Sequence, residues 1–220
     1  MPDFDVTAAS RGFKMRFPSS IMRTSSFDRI YAHLRIRGAI VPSSARLARE
    51  LASLALGSDH VLELGAGSGV VTLALTKVVK AEKLQVVELH SGLASSLKQR
   101  YPHLNVMQGS AVFALDNYPK SGAIAVVSSL PFRSLPADMK HLTVQSLLRF
   151  LTALPKSMLI QFTYGLGEPF SVSAGFEWRQ VKWVMANFPP AGIWVLTKTA
   201  AGAGTVDRLA QERADRMVQD

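Results

Sequence analysis

The segment that most constrains the fold is an apolar run that passes directly into three closely spaced glycines. Residues 61–64 are Val-Leu-Glu-Leu, and residues 65–69 are Gly-Ala-Gly-Ser-Gly. Glycine adopts backbone angles that other residues avoid, so this spacing allows a sharp turn and a close approach of the main chain to a ligand. A helical pattern begins at Val70, and the first turn of a helix offers free amide groups. The segment predicts a strand, a tight turn and a helix, with a ligand site at the turn.

Two well-known nucleotide sites share this arrangement and differ from it in detail. A dinucleotide fingerprint would have its third small residue at position 70. This chain has Val70 there, which is evidence against an NAD site. The phosphate loop of nucleoside triphosphatases ends in Gly-Lys-Ser or Gly-Lys-Thr. That ending does not follow Gly69, so a phosphate loop is rejected.

Short apolar runs alternate with helical patterns along the rest of the chain. Predicted strands are 61–64, 84–87, 104–107, 124–127 and 158–162. Predicted helices are 21–37, 43–56, 70–79, 92–100 and 139–151. Such alternation favours a parallel sheet that is covered by helices on both faces. Near the C terminus, runs 178–185 and 193–197 flank an Asn-Phe-Pro-Pro segment and predict an antiparallel strand pair.

The charge of the chain points to an anionic partner. Lys and Arg number 25 against 16 Asp and Glu, a net charge of +9 on 220 residues, which is the length of one domain. The first 50 residues hold nine basic and four acidic side chains, a net of +5. Nucleic acid, acidic lipid and a phosphorylated substrate all fit this excess. The chain has no cysteine, which excludes disulfides, thiolate metal sites and a cysteine nucleophile.

Other sequence features narrow the function classes. No apolar run approaches the roughly 20 residues that span a bilayer, and no signal-peptide pattern is present. We therefore expect a soluble or surface-bound cytoplasmic protein. The five histidines show no metal-ligand spacing, so no metal is predicted.

An acidic residue follows the glycine turn at an informative distance. Glu88 ends the second predicted strand, nineteen residues after Gly69, where a carboxylate can accept hydrogen bonds from both hydroxyls of a ribose. Together, the turn and Glu88 resemble the cofactor site of class I S-adenosylmethionine-dependent methyltransferases. The resemblance implies an α/β, Rossmann-like fold with a mostly parallel seven-stranded sheet, an antiparallel C-terminal hairpin and N-terminal helices.

The same resemblance implies which residues bind S-adenosyl-L-methionine. In that family the glycine turn lies against the amino-acid portion of the cofactor, the acidic residue holds the ribose, and the loop after the third strand reaches the adenine. The implied cofactor-binding residues are Glu63, Gly65, Ala66, Gly67, Gly69, Glu88, Leu89, Ser110, Ala111 and Ser128. Many family members have an acidic residue at the position of Ser110.

A narrower resemblance covers about residues 36–198. Segments 38–44, 128–131, 161–165 and 187–194 look like those of the small bacterial phospholipid N-methyltransferases, which act on phosphatidylethanolamine, and of relatives that act on ornithine lipids. This resemblance implies a basic membrane-binding segment (1–38), a methyltransferase domain (39–198) and a tail (199–220). It also implies a phospholipid substrate, an anionic membrane surface as partner of the basic N terminus, and a cytoplasmic protein peripherally associated with the inner membrane.

Residues after the fourth and fifth strands are the candidates for catalysis. Tyr164 is the first candidate to orient an acceptor amine or relay its proton, with the Ser129 hydroxyl as an acceptor. In both cases position along the chain is the only ground. Packing of Tyr164 on the sheet end is the competing interpretation. Arg133 is one of several basic residues considered as a ligand for a lipid phosphate, against an ordinary surface charge.

An RNA adenine amino-group methyltransferase is the alternative function. Such enzymes carry Asn or Asp, then any residue, then Pro and an aromatic residue after the fourth strand, and that side chain and a neighbouring carbonyl grip the exocyclic nitrogen. This chain has Ser129 at the first position, and a hydroxyl cannot supply the paired donor and acceptor of a carboxamide. Nucleic acid is therefore the less favoured partner. A binding module without catalysis is the third interpretation.

Overall fold

The computed structural model describes residues 44–119, 121–185 and 189–199. Its strands are β1 (His60–Leu64), β2 (Leu84–Glu88), β3 (Asn105–Gln108), β4 (Ile124–Ser128), β5 (Met158–Tyr164), β6 (Phe176–Val184) and β7 (Ala191–Lys198). Its helices are α1 (Ala45–Leu54), α2 (Val70–Leu75), α3 (Ser91–Arg100), α4 (Ala111–Asn117) and α5 (Ala137–Ala153). The predicted helix 21–37, the basic segment 1–38 and residues 200–220 of the tail lie outside the described residues.

One seven-stranded sheet organises the described residues, in the order β3-β2-β1-β4-β5-β7-β6. Strands β1 to β5 pair in parallel, and β7 runs antiparallel to both β5 and β6. The predicted mostly parallel sheet with an antiparallel C-terminal pair is confirmed. The chain order reverses at β1, which has β2 on one side and β4 on the other. Ligands of open α/β sheets bind at the carboxyl ends of the strands beside such a reversal.

Helices cover both faces of this sheet. Buried residues of α1, α2 and α3 pack on one face with Val61, and buried residues of α4 and α5 pack on the other with Leu62. Consecutive residues of β1 therefore pack into hydrophobic cores on opposite faces of the sheet, because successive side chains of a strand point to opposite faces. The sequences of the parallel strands are continuously apolar because these strands are buried on both faces of the sheet.

The helices depart from the predicted ones in two places. Helix α2 ends at Leu75 rather than at residue 79, and the chain turns before a short 3₁₀ segment, Ala81–Lys83. Helix α4 was not predicted. It has only seven residues, and its two buried positions, Ala114 and Leu115, are adjacent in sequence. Adjacent positions produce no helical periodicity, so no pattern identified this helix.

Candidate active site

The glycine turn after β1 uses the backbone freedom that its sequence predicts. Gly65, Gly67 and Gly69 have φ values of +73°, +56° and +84°, which side-chain-bearing residues rarely adopt. The amides of Gly65 and Ala66 both donate to the carbonyl of Val87, at 2.9 and 3.2 Å. The turn is therefore tied to the end of β2, beside Glu88.

Two of these glycines also lie where no side chain fits without movement of a neighbour. A Cβ atom on Gly65 would lie 2.8 Å from Cδ2 of Leu130, in the loop after β4. A Cβ atom on Gly69 would lie 2.7 Å from Cδ2 of Leu97 in α3. Position 65 thus joins the glycine turn to the loop that carries Ser129.

We expect Gly65→Ala to destabilise the protein more than Gly175→Ala does. Both glycines have positive φ, but a Cβ on Gly175 would meet nothing within 4 Å. A left-handed alanine costs roughly 1–2 kcal/mol at either position. At position 65 the displacement of the Leu130 side chain adds a further loss. Urea unfolding of the two variants measures the difference, and equal losses would contradict the contact with Leu130.

Glu88 is held at the end of β2 by two main-chain amides. Its Oε2 accepts from the amide of Gly67 at 2.7 Å, and its Oε1 accepts from the amide of His90 at 2.8 Å. Its side chain is buried, with 3% of the residue exposed. An ionised carboxylate has about four lone-pair directions. The two amides leave each oxygen able to accept a further hydrogen bond, so Glu88 is fixed in direction and retains capacity for a ligand.

Glu63 lies in β1, buried beside the glycine turn. The residue has no exposed surface, and neither carboxyl oxygen has a hydrogen-bond partner among the described residues. The pKa of Glu63 is raised to about 8, mainly by burial; the polar groups of Thr72 partly offset this effect, and the charge of Glu88 adds to it. The carboxyl is therefore mostly protonated at pH 7. A positive group bound beside this carboxyl would lower its pKa and favour the ionised form.

The loops after β2 and β3 present apolar side chains at the same edge. The amide of Gly109 donates to the carbonyl of Glu88 at 3.0 Å and ties the two strand ends together. Leu89 is 39% exposed, and Phe113 in the first turn of α4 is 48% exposed. Two exposed apolar side chains at adjacent strand ends suit the flat face of a base. Sequence reasoning missed Phe113, because it missed the helix that carries it.

Ser110 and Ala111 form the start of α4 in this region. The Ser110 hydroxyl accepts from the amide of Phe113 at 3.1 Å and caps the helix. This is the N-cap role that serine commonly has. Ser110 thus lies after β3, where the resemblance places it, and its oxygen already serves one main-chain donor.

The loop after β4 carries the two serines of the sequence motif. Ser128 is fully buried, and its Oγ accepts from the amide of Leu130 at 3.2 Å. The amide of Ser129 donates to the carbonyl of Leu64 at 3.0 Å. The Ser129 hydroxyl is shielded from solvent and has no partner among the described residues. Ser128 is therefore engaged within its own loop, while the Ser129 hydroxyl is buried with its hydrogen-bonding capacity unused.

Tyr164 is the last residue of β5, so it reaches the edge of the sheet next to the β4 loop. Its ring is half-buried and contacts Phe162 edge-on, with the ring centroids 5.6 Å apart. Its main chain pairs with Ala191 of β7. Tyr164 and Ser129 thus follow neighbouring strands at the edge that also carries Glu88.

Comparison with solved structures finds the same architecture. A TehB-like S-adenosylmethionine-dependent methyltransferase from Corynebacterium glutamicum is 16% identical, over 80% of this chain and 98% of that chain, with a TM-score of 0.51. The 23S rRNA methyltransferase ErmE is 21% identical, over 80% of this chain and 76% of that chain, with a TM-score of 0.50. This chain has the class I methyltransferase fold. No family model and no curated protein matches its sequence.

The class I fold accounts for where the candidate residues lie. The glycine turn, Glu88 and the β3 loop occupy one half of the carboxyl edge, and the β4 and β5 loops occupy the other. Within the described ranges, no helix is long and apolar enough to cross a membrane, and no group of three or more His, Asp or Glu side chains is placed to hold a metal ion.

Proposed function

We propose that this protein is an S-adenosyl-L-methionine-dependent methyltransferase. The observation that carries the proposal is the placement of Glu88, whose buried carboxylate is aimed by the amides of Gly67 and His90 at the reversal of the strand order. A carboxylate there suits the paired hydroxyls of a ribose. The glycine turn beside it leaves room for the amino-acid portion of the cofactor, and the buried carboxyl of Glu63 suits the positive charge of that portion.

The acceptor is proposed to be an amine. When bound, the cofactor supplies a methyl group on a positively charged sulfur. The contribution of the chain is to exclude water and to hold the nitrogen in line with that methyl group. An ammonium has no lone pair and must first lose a proton. The hydroxyls of Ser129 and Tyr164 are the proposed groups that orient the nitrogen and relay its proton to water, each hydroxyl giving up one proton as it accepts another.

The first proposed acceptor is a lipid amine, most specifically phosphatidylethanolamine on the way to phosphatidylcholine. The support is the resemblance of four segments to phospholipid N-methyltransferases, together with the basic first 50 residues. A Lys or Arg near an anionic bilayer contributes about 1 kcal/mol of binding, so a few suffice for reversible attachment. Peripheral association with the inner membrane belongs to this proposal. Neither structural neighbour is named as a lipid enzyme, so the comparisons lend it no support.

The second proposed acceptor is an adenine amino group in RNA. The structural comparisons favour it over a lipid, because one neighbour is named as a 23S rRNA methyltransferase. The geometry of the loop after β4 favours a lipid amine instead. The carbonyl of Leu130, next to Ser129, already accepts from Nε2 of Gln161 at 3.1 Å and from the amide of Phe132 at 2.9 Å. A carbonyl with two donors has no lone pair left to grip an exocyclic nitrogen.

Labelled cofactor offered separately to phosphatidylethanolamine vesicles, RNA and a protein extract tests these proposals. A lipid acceptor predicts label in the lipid fraction and stronger binding when acidic lipid is added. Label in RNA alone would replace it with the second proposal. Cofactor binding without transfer to any fraction would indicate a binding module, and absence of cofactor binding would overturn the methyltransferase itself.

Tyr164→Phe tests the proposed handling of the acceptor. Removal of the hydroxyl is expected to lower turnover roughly 10- to 100-fold, the scale at which positioned proton-transfer groups act. Cofactor affinity should stay within about twofold, because Tyr164 lies on β5, away from the glycine turn. Steady-state kinetics and calorimetric cofactor titration measure the two quantities. Phe162→Leu is the control for edge-on packing of the rings, and unchanged turnover in Tyr164→Phe would remove the hydroxyl from the mechanism.

A further inference from the structure

We propose that Gln161 and Arg133 are positioning residues that brace the acceptor loops after β4 and β5 against each other. The inference rests on the proposed methyl transfer and assigns a function to two side chains that lie beside the candidate catalytic groups. Gln161 reaches from β5 to the β4 loop, and Arg133 reaches from the β4 loop to the end of β5. The two connections therefore run in opposite directions between the same two segments.

Gln161 forms the buried connection. The residue is 2% exposed, and its Nε2 donates to the carbonyl of Leu130 at 3.1 Å and to the carbonyl of Phe162 at 2.8 Å. Leu130 directly follows Ser129. The side-chain amide of Gln161 thus links Leu130, the residue after Ser129, to β5, the strand that ends in Tyr164.

Arg133 forms the exposed connection. Its Nη1 donates to the carbonyl of Tyr164 at 3.0 Å, and its Nη2 donates to the carbonyl of Leu166. The planar guanidinium presents several donors in a fixed fork, so one side chain reaches two carbonyls of the same turn. The carbonyl of Tyr164 is therefore held directly from the loop that carries Ser129.

The turn after β5 is shaped around this guanidinium. Gly165 and Gly167 have φ values of +77° and +89°, and a Cβ atom on Gly167 would lie 3.1 Å from Nη2 of Arg133. The main chain curls close to the side chain at a point where a bulkier residue would push it away. The Gly-Leu-Gly sequence and Arg133 thus form one unit, although 32 positions separate Arg133 from Gly165.

The consequence is that the spacing between Ser129 and Tyr164 depends on both connections. Reacting groups need placement within about 0.5 Å, and an error of about 1 Å can cost a factor of 100 in rate. The turn after β5 is exposed, and connecting segments of this kind are ordinarily more mobile than the strands they follow. Braced by Gln161 and Arg133, the two loops present their functional groups as a single rigid surface.

Arg133→Lys and Gln161→Met test the brace with little change in size. Lysine keeps the charge and loses the fork, and methionine keeps the volume and loses the donors. Arg149→Lys is the matched control, because Nη2 of Arg149 contacts Asp116 at 3.1 Å and the Ser146 hydroxyl at 2.9 Å, between α5 and α4. We expect kcat/KM for the acceptor to fall 10- to 100-fold in both test variants and to stay within twofold in the control.

Cofactor titration separates positioning from a loss of folded protein. Misfolding would reduce the number of cofactor sites per chain and leave the acceptor KM unchanged. A positioning role predicts one cofactor site per chain with affinity within twofold of the wild type, and a changed acceptor KM or kcat at full occupancy. An acceptor kcat/KM within twofold of the wild type in Arg133→Lys and Gln161→Met would overturn the proposal.

Amide hydrogen exchange tests the brace independently of activity. Arg133→Lys should speed exchange in residues 165–168, and Gln161→Met should speed exchange in residues 129–133, with each variant also affecting the partner loop. Faster exchange in only one of the two loops would show that the loops are not coupled and would overturn the brace. If the wild type transfers methyl to no acceptor, the proposed function fails and so does the positioning role, whereas unaltered exchange with an active wild type overturns the brace alone.

Discussion

Glu88→Ala is expected to weaken the binding of S-adenosyl-L-methionine at least 100-fold. The buried carboxylate is aimed by the Gly67 and His90 amides, and each oxygen retains capacity for a ribose hydroxyl. A hydrogen bond to a charged group is worth about 1.5–3 kcal/mol. Two such bonds amount to about 3–6 kcal/mol, or a factor of at least 100 in the dissociation constant. Isothermal titration calorimetry at pH 7 measures this factor directly.

Two further variants make the Glu88 result specific. Glu88→Gln keeps the size and one oxygen but loses the charge, so an intermediate loss of affinity is expected. Glu177→Ala removes an exposed acidic side chain from β6 and should leave affinity unchanged. Because alanine leaves the amides of Gly67 and His90 without their partner, thermal unfolding must first show that Glu88→Ala is folded. A folded Glu88→Ala with a dissociation constant within threefold of the wild type would contradict the ribose site.

The half of the site that is proposed to hold the cofactor was predictable because its signals are local. Gly65, Gly67 and Gly69 follow an apolar run, and Glu88 ends the next one, so four residues specify a turn and a carboxylate. The sequence could not reveal that Glu88 also accepts from the amide of Gly67, 21 positions away. That bond exists because β1 and β2 are neighbours in the sheet, and pairing of strands is a tertiary property.

The acceptor half was less predictable for the same reason. The Ser-Ser-Leu-Pro segment located the loop, but the engagement of the Leu130 carbonyl depends on Gln161, 31 positions later. The sequence makes Arg133 a candidate ligand for a lipid phosphate, whereas the structure shows its guanidinium donating to carbonyls of the β5 turn. An arginine in a sequence gives its charge, whereas the partner that the charge meets is set by the packing of neighbouring loops.

These contacts bear on the choice between acceptors. An adenine amino group needs the Leu130 carbonyl or an equivalent, and that carbonyl is occupied by Gln161 and Phe132. A lipid ammonium is tetrahedral and does not have to lie in the plane of a base, so one hydroxyl such as that of Ser129 can orient it. The occupied carbonyl in the loop after β4 therefore favours an aliphatic amine over an adenine. Transfer assays that offer a lipid amine and RNA side by side to the wild type separate the two.

Glu63 gives the protein a pH dependence with a definite sign. Its pKa is about 8 in the folded protein, mainly through burial, against an ordinary value of 4.5. Below pH 4.5 both states are protonated, and the group has no effect on stability. Between pH 4.5 and 8 the folded state holds a proton that the unfolded state has lost, so stability falls as the pH rises. The slope is at most about 1.4 kcal/mol per pH unit, which amounts to several kcal/mol over this window.

Glu63→Gln is therefore expected to stabilise the protein at pH 8 by about 3 kcal/mol or more, and to change it little at pH 4.5. Glutamine has nearly the same shape and cannot ionise, so the part of the slope that belongs to Glu63 disappears. The control is Glu82→Gln, which neutralises an exposed acidic side chain in the 3₁₀ segment and should run parallel to the wild type. Free energies of unfolding from urea titrations at intervals between pH 4.5 and 8.5 measure the three curves. If the curve of Glu63→Gln also runs parallel to that of the wild type, Glu63 does not carry a proton in the folded protein, and its carboxylate must already have a partner.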